Sequence, residues 1–370
     1  MVNLADEFPL DPDMMYLNHA AVAPWPKRTR DAVAAFANEN CRQGARHYPR
    51  WNRLEARLRE QLRWLINAPS VDDIALLKNT SEGLSVIAGG IDWRQGDEVL
   101  ISNQEFPSNR IPWQALGEQG VQVVEAALDG HDPETSLIAA MKPATRLLAI
   151  SSVQYGSGLR LDLVRLGRAC AERGILFCVD AIQSLGAEPF DVQACGAHFV
   201  VADGHKWLLA PEGLALFYCA ASVREKLRLH QFGWHMVEAA GDYDHKDWQP
   251  ASSARRFECG SPNMLGAHAL SASLSLFQDV GLDAVCEQIR QRTTLISDAL
   301  QARGARLLSP TDPQRRAGIV TFVPNSEPPT DCHRRLQQAG VICALRGGGV
   351  RWSPHFYTSP EVIERALGHL

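Results

Sequence analysis

A carboxylate and an amine follow two apolar runs of this 370-residue chain, at positions where they could act together. Asp180 comes directly after the run 175–179, and Lys206 follows the run 198–202. Open α/β sheets bind ligands at the carboxyl ends of their strands, so neighbouring strands would present both side chains to one crevice. Burial in that crevice would lower the pKa of the lysine and make it a usable nucleophile.

Such a pair meets the chemical needs of pyridoxal phosphate. A lysine is needed to form a Schiff base with this cofactor, and a carboxylate keeps the ring nitrogen protonated so that the ring can withdraw electrons. The alternative is a structural salt bridge between Asp180 and Lys206. The spacing of the two residues alone leaves both interpretations open.

Alternating apolar and amphipathic segments between residues 70 and 220 indicate the sheet that would position these residues. This alternation is typical of parallel strands joined by crossover helices. The segments predicted as strands are 74–77, 98–101, 121–124, 147–150, 175–179, 198–202 and 214–218. They predict one large α/β domain with a seven-stranded, mostly parallel sheet, which we place at residues 16–250.

A different pattern follows residue 262 and predicts a smaller α+β unit. The helices predicted there are 265–279, 282–303 and 360–370, and the strands are 318–322 and 341–345. We place this small domain at residues 251–370 together with residues 1–15.

Composition and charge exclude several classes of partner. The chain has 37 basic and 42 acidic side chains and a net charge of −5, which gives no basic field for a nucleic-acid backbone. No apolar run approaches the ~18 residues of a membrane span, and the first residues lack the basic and apolar regions of a signal peptide. We therefore expect a cytoplasmic protein with a small-molecule partner, no nucleic acid and no membrane.

Several motifs in a specific order carry a resemblance to a known family. They lie at 16–21, 79–83, 180–183, 203–207, 255–263 and 351–357. Together they resemble the class V aminotransferases, a family of fold-type I pyridoxal-phosphate enzymes that includes cysteine desulfurases, isopenicillin-epimerase-like proteins and kynureninase. The resemblance covers nearly the whole chain and implies the fold-type I architecture with pyridoxal 5′-phosphate as cofactor.

The resemblance assigns roles around the cofactor ring. It implies that Lys206 is the Schiff-base lysine and that Asp180 contacts the ring nitrogen. Gln183 would donate a hydrogen bond to the phenolate oxygen. His205 would lie beside the lysine, near the phosphate.

Other motif residues are implied to hold the phosphate and the ring. Thr80 and Ser81 match the phosphate loop of the family at the start of a predicted helix, where backbone N–H groups favour an anion; a plain helix cap is compatible with that role. Phe106 stands where desulfurases generally carry a histidine, and it would stack on the ring. Gln154 would lie near a cofactor oxygen.

Two further residues bear on assembly. Ser261 matches a hydroxyl residue that reaches the phosphate of the neighbouring subunit in the family, which implies a homodimer with active sites at the interface. Trp234 is a second candidate for a phosphate contact, with simple packing as the alternative.

Arg351 and Arg346 are the candidates for binding the substrate. Arg351 matches the family arginine that binds the substrate carboxylate, and a guanidinium pairs bidentately with that group. Arg346 is the second candidate, with an ordinary ion pair as the alternative. An amino acid is therefore the expected substrate.

The reaction is less defined than the cofactor. Transamination, C–S or C–C lyase chemistry and epimerisation are all compatible with a base at Lys206. The segment 344–351 lacks the cysteine that desulfurases use to accept sulfur, and Cys343 lies in a predicted strand, which disfavours cysteine desulfuration of the usual kind.

Two other classes remain as alternatives. A nicotinamide-dependent oxidoreductase on a doubly wound sheet would need a Gly-x-Gly-x-x-Gly fingerprint, which the sequence lacks. A catalytically silent scaffold is disfavoured by the joint presence of Lys206, Asp180, Thr80 and Arg351. The nine cysteines contain no C-x-x-C pair, so neither a zinc site nor any other metal site is predicted.

Overall fold

The computed structural model describes residues 2–370 except residues 129, 131 and 245. Its strands are β1 Met15–Tyr16, β2 Ile74–Leu77, β3 Glu98–Ser102, β4 Gln122–Ala126, β5 Thr145–Ser151, β6 Leu176–Asp180, β7 Phe199–Asp203, β8 Ala215–Cys219, β9 Arg306–Leu307, β10 Val320–Val323, β11 Val341–Ile342, β12 Ala344–Arg346 and β13 Gly349–Trp352.

The α-helices lie between these strands and behind the sheets. They are α1 Leu4–Glu7, α2 Lys27–Gln43, α3 Tyr48–Ile66, α4 Thr80–Gly90, α5 Ile111–Gln114, α6 Pro133–Ala140, α7 Leu163–Arg173, α8 Val192–Cys195, α9 Ala221–Arg224, α10 Met264–Val280, α11 Leu282–Ala302, α12 Pro329–Gln338 and α13 Pro360–Leu367. Short 3₁₀ helices are Val71–Asp73, Pro107–Asn109, Ala115–Gln119 and Ala254–Phe257. In the part of the chain that is described, no helix has the length and apolar character needed to cross a bilayer.

Polar side chains fix where several helices begin. Asn79, Asp162 and Asn263 each accept a backbone N–H from the first turn of α4, α7 and α10. Such caps satisfy N–H groups that have no partner inside the helix and are each worth about 1 kcal/mol. At its other end α7 stops at Gly174, whose left-handed conformation glycine tolerates without strain.

The large sheet has seven strands in the order β2-β8-β7-β6-β5-β3-β4. Its neighbours pair in parallel from β4 through β7, whereas β8 is antiparallel to both β7 and β2. Every residue of β3, β7 and β8 is buried, as expected for strands covered on both faces. The α/β class, the mostly parallel sheet and all seven strands are confirmed.

The C-terminal part contains a four-stranded antiparallel sheet in the order β12-β13-β10-β9. Its core takes in Phe322 and Trp352 with residues of α11 and α13, and also Met15 and Leu17 from the start of the chain. Strand β1 pairs in parallel with β11, which brings that N-terminal segment alongside. The domain boundaries themselves stay a prediction.

The prediction of a single strand over 341–345 is wrong, because the structure divides this segment into two strands. Residues 341–342 form β11, which pairs with β1, while residues 344–346 form β12, which pairs with β13. Cys343 lies between the two pieces with its side chain buried. Two short strands therefore stand where one was predicted, because they pair with different sheets.

Candidate active site

A cavity of about 380 Å³ lies at the carboxyl ends of β6 and β7. Nine of the twelve residues predicted for the site line it: Thr80, Ser81, Phe106, Asp180, Gln183, His205, Lys206, Arg346 and Arg351. The large sheet and its helix α4 supply most of these side chains, and the small sheet supplies the two arginines. The cavity therefore lies between the two sheets.

Lys206 follows β7 by three residues and is 9% exposed. Its Nζ lies 5.6 Å from the centre of the Phe106 ring, and it forms no ion pair with a described residue. Burial lowers the pKa of Lys206 to about 8, and the nearby charge of Arg351 adds to the effect against the opposing attraction of Asp180. About half of this amine is therefore neutral at pH 8.

Asp180 is the last residue of β6 and is 2% exposed. One carboxylate oxygen accepts the backbone N–H of Ile182 at 3.0 Å, and no basic group among the described residues lies within 4.0 Å. Burial raises the pKa of Asp180 to about 7. A buried carboxylate with so few donors is costly, and a cationic N–H donor would relieve that cost.

A phosphate-sized anion fits at the start of helix α4. Thr80 and Ser81 form the first turn, where backbone N–H groups and the helix dipole favour negative charge. The Ser81 hydroxyl donates to Ser108 at 2.9 Å, and the Thr80 hydroxyl accepts the backbone N–H of Asp203 at 3.2 Å. Nδ1 of His205 lies 3.0 Å from the Asp203 carboxylate, which places His205 beside the residue whose backbone N–H contacts Thr80.

Gln183 is held in place by two hydrogen bonds. Its amide donates to the carbonyl of Ala20 at 3.0 Å and accepts the Trp207 indole N–H at 2.8 Å. An amide NH₂ group has two donors, so one N–H of Gln183 is left for a ligand. This donor, the Asp180 carboxylate and the α4 N-terminus together fit the ring and phosphate of pyridoxal phosphate.

The two arginines come from neighbouring strands of the small sheet. Arg351 on β13 stands opposite Ala344 on β12, and Arg346 is two residues further along β12, so both point to the same face. Arg351 is 2% exposed and donates to the carbonyl of Tyr155 at 2.8 Å. Burial and the charge of Arg346 lower the pKa of Arg351 to about 10.

The guanidinium groups of Arg346 and Arg351 lack an anionic partner among the described residues. Within the described residues, no carboxylate lies within 4.0 Å of Arg346 or Arg351, and the Arg351 Nε has no hydrogen-bond partner. Arg346 is exposed and lines the cavity, and within the described residues its guanidinium donates one hydrogen bond, to the carbonyl of Leu345. An anionic group entering the cavity would therefore meet two available positive charges.

Gln154 is one of three predicted residues that the structure does not bring to the cavity. It is completely buried, and its amide donates to Glu105 at 3.2 Å and to the carbonyl of Ser151 at 3.3 Å. Glu105 also accepts hydrogen bonds from Ser102 and Asn109, so it holds the loop that carries Gln154 in place. The neighbouring Tyr155 lines the cavity in place of Gln154.

Ser261 and Trp234 are the other two. Ser261 lines a separate cavity of about 420 Å³ near the start of α10. Trp234 is 40% exposed on a loop, with its ring 5.9 Å from that of Tyr243. Within a single chain, neither residue contributes to the cavity that holds Lys206.

Three ionisable residues of the cavity were not predicted from the sequence: Tyr155, Asp203 and Glu212. Asp203 is the last residue of β7, as Asp180 is of β6, so the same strand-end argument could have found it. Tyr155 follows Gln154 in a loop, where spacing gives no rule for which side chain faces inward. Glu212 is exposed and carried no signal in the sequence.

No cysteine of the described chain lines the cavity. Cys343 is 3% exposed, and burial raises the pKa of its thiol to about 12, which leaves it protonated and unreactive. All nine cysteines are free thiols.

One cluster elsewhere has the donor types of a metal site. Ligand atoms of Glu55, His235 and Glu258 lie within 4.8 Å of one another. Arg59 already pairs with both carboxylates, at 2.6 Å to Glu55 and 2.7 Å to Glu258. One guanidinium thus offsets part of the negative charge of the two carboxylates.

Comparisons with known proteins agree with this geometry. The sequence model of the family described as aminotransferase class-V matches residues 15–359. A protein of Methanothermobacter thermautotrophicus described as "probable cysteine desulfurase" is 31% identical over 97% of this chain and 94% of its own length.

Solved structures share the fold. A C-DES mutant with glycine linked to the pyridoxal-phosphate cofactor superposes with a TM-score of 0.92 at 22% identity, over 100% of this chain and 98% of that one. A complex of the cystine C–S lyase C-DES with cysteine persulfide gives a TM-score of 0.90 at 23% identity, over 98% of both chains. These matches leave no support for a nicotinamide-dependent oxidoreductase. The chain belongs to the class V aminotransferase family and is a pyridoxal-phosphate-dependent enzyme.

Proposed function

We propose that this enzyme is a lyase that breaks a C–S bond of a cysteine-type amino acid and releases the sulfur directly as a small molecule. The observation that carries this proposal is a cavity with a neutralisable lysine and two available arginines but no cysteine among its described lining residues. Relatives described as cysteine desulfurase and cystine C–S lyase support the choice of substrate.

The roles of the residues around the cofactor follow from their positions. When bound, pyridoxal phosphate withdraws electrons from the α-carbon of an amino acid. Lys206 holds the cofactor and then removes the α-proton, since its amine is largely neutral above about pH 8. Asp180 keeps the ring nitrogen protonated, and the free N–H of Gln183 donates to the ring oxygen. Phe106, which lines the same cavity, would stack on the ring.

The phosphate and the substrate are held at different ends. Thr80, Ser81 and His205 hold the phosphate at the start of α4. Arg351 binds the substrate carboxylate bidentately, and its burial makes that pairing strong. Arg346 adds a second positive charge at the mouth, where it attracts anionic substrates.

Release of sulfur to solution follows from the missing acceptor. A desulfurase that passes sulfur to its own cysteine needs a thiolate near the substrate. Here Cys343 is buried with its pKa raised to about 12, and the hairpin from β12 to β13 carries glycines at 347–349. The departing sulfur therefore leaves the cavity unattached to the protein.

Product analysis tests the proposed reaction. With L-cysteine we expect pyruvate, ammonia and sulfide in a 1:1:1 ratio, because elimination followed by hydrolysis yields these three from one substrate and one water. Cysteamine, which lacks the carboxylate for Arg351, should give no sulfide. The control Cys343→Ser should leave the ratio unchanged. Alanine as the main carbon product, or a requirement for a second keto acid, would contradict the proposal.

The pKa of Lys206 sets the pH dependence of cofactor uptake. The neutral amine is the nucleophile, and burial lowers the pKa of Lys206 to about 8, against ~10.4 for a free lysine side chain. The rate of pyridoxal phosphate uptake by the cofactor-free chain should rise about tenfold per pH unit below 8 and level off above it. Stopped-flow absorbance measures this rate, with Nα-acetyl-lysine as reference. A rise that continues in parallel with the reference to pH 10 would contradict the assignment.

We further propose a homodimer in the cytoplasm. Ser261 lies on a surface cavity apart from Lys206, as a residue that completes the site of a partner subunit would. Nine free thiols suit a reducing compartment. Sedimentation equilibrium should give twice the mass of one chain, and cell fractionation should place the protein in the cytosol; a single-chain mass would contradict the dimer.

A further inference from the structure

Tyr155 is a cavity residue to which neither the motifs nor the proposed function gives a role. Its carbonyl accepts from Arg351 at 2.8 Å, and the carbonyl of the next residue, Gly156, accepts from the Thr321 hydroxyl at 2.7 Å. Strands β13 and β10 thus fix this loop against the small sheet. The half-buried phenol ring lies edge-on to Phe106, with ring centres 5.1 Å apart.

The phenol hydroxyl of Tyr155 has no hydrogen-bond partner among the described residues, although the ring and backbone around it are held. A fixed but unused O–H group beside a polar cavity is available to a ligand. In the proposed function Arg351 binds the substrate carboxylate, and its guanidinium also donates to the backbone carbonyl of Tyr155. A substrate whose carboxylate pairs with Arg351 would therefore lie next to Tyr155, which lines the same cavity.

A C–S lyase needs a proton at that end, because sulfur leaves with the electron pair of the broken bond. Most other titratable groups of the cavity have roles elsewhere in the proposed function: Asp180 would contact the ring nitrogen, His205 lies beside Asp203 near the α4 N-terminus, and Lys206 would act at the α-carbon. Glu212 also lines the cavity and is exposed. Phe106, which stands where desulfurases generally carry histidine, has no proton to give.

We propose that Tyr155 is a further catalytic residue, which donates its phenolic proton to the departing sulfur. The C–S bond breaks with its electron pair on sulfur, the phenol O–H bond breaks, and an S–H bond forms. The phenolate then recovers a proton from water before the next turnover. This step rests on the proposed C–S lyase function and involves no oxidant or reductant.

Two positive charges lie in the cavity where this step leaves a negatively charged oxygen. Arg351 and Arg346 line the same cavity, and neither is paired with a carboxylate of the described chain. A positive charge near an oxygen anion stabilises it more in a partly buried site than in water. The same two arginines thus serve the substrate carboxylate and the transient phenolate.

Tyr155→Phe tests this proposal through the leaving group. With S-methyl-L-cysteine, whose thiolate is a poor leaving group, we expect kcat to fall about 10²- to 10³-fold, the usual scale for one general acid. With S-(2-nitrophenyl)-L-cysteine, whose thiolate leaves without a proton, we expect less than about a threefold fall. Tyr243→Phe removes an exposed phenol hydroxyl and should change neither rate.

Binding must be checked separately from turnover. The cofactor absorbance of the Tyr155→Phe holoenzyme, and its affinity for L-alanine followed by the change in that absorbance, should match those of the unaltered enzyme. An equal fall of kcat with both substrates, or no fall with either, would overturn the role of Tyr155 while leaving the lyase function standing. Failure of the unaltered enzyme to release thiol from either substrate would overturn both.

Discussion

Lys206→Ala is expected to lower turnover by at least about 10⁴-fold, because one side chain both holds the cofactor and moves the α-proton. The alanine has no amine to replace it. Every other described residue of the cavity with an amine or guanidinium is an arginine, whose group stays protonated. The steady-state rate of pyruvate formation from L-cysteine measures this loss.

Two controls separate chemistry from folding in this experiment. Lys226→Ala removes an exposed lysine and should keep full activity. Methylamine added to Lys206→Ala should restore part of the rate, because a small amine can enter the vacated space and act as base. Undiminished turnover of Lys206→Ala would refute the assignment of the catalytic lysine.

Asp180→Asn is expected to lower kcat about 10²- to 10³-fold while the cofactor still binds, because a neutral amide cannot hold the ring nitrogen in its protonated form. The substitution keeps the size of the side chain. It also keeps the oxygen that accepts from Ile182. Asp247→Asn, at an exposed position, is the matched control, and its kcat should be unchanged.

The same substitution should have the opposite effect on the stability of the cofactor-free chain. Burial raises the pKa of Asp180 to about 7, above the ~3.9 of an unfolded aspartate. The folded state therefore binds the proton more tightly, and stability present below about pH 4 is lost as pH rises towards 7. Cofactor-free Asp180→Asn should thus melt at a higher temperature than the unaltered chain at pH 8, and the two should converge near pH 4. A lower melting temperature of Asp180→Asn than of the unaltered chain at pH 8 would contradict a destabilising effect of the buried carboxylate.

The large sheet could be predicted from sequence because its strands are buried on both faces. Strands such as β7 and β8 then read as short continuous apolar runs. The functional residues at the strand ends could be predicted in the same way. A polar residue at the end of such an apolar run, such as Asp180, has few structural reasons to be there. The position of Lys206 beside Asp180 follows from the pairing of β6 with β7.

The parts that could not be predicted depend on pairing and on loops. The shared orientation of Arg346 and Arg351 follows from the register of β12 against β13, which no local pattern encodes. Tyr155 lines the cavity in place of the predicted Gln154. The two residues are adjacent in a loop, where no periodicity determines which side chain faces inward. The break at Cys343 arises because two short strands pair with different sheets.

Borohydride reduction of the cofactor-loaded chain, followed by peptide mapping, tests the central claim most directly. Reduction makes the bond between the cofactor and its lysine permanent, so the modified residue can be identified by mass. The expected result is one pyridoxyl group per chain, on Lys206. A label on any other lysine, or a chain that takes up no cofactor at all, would contradict the account.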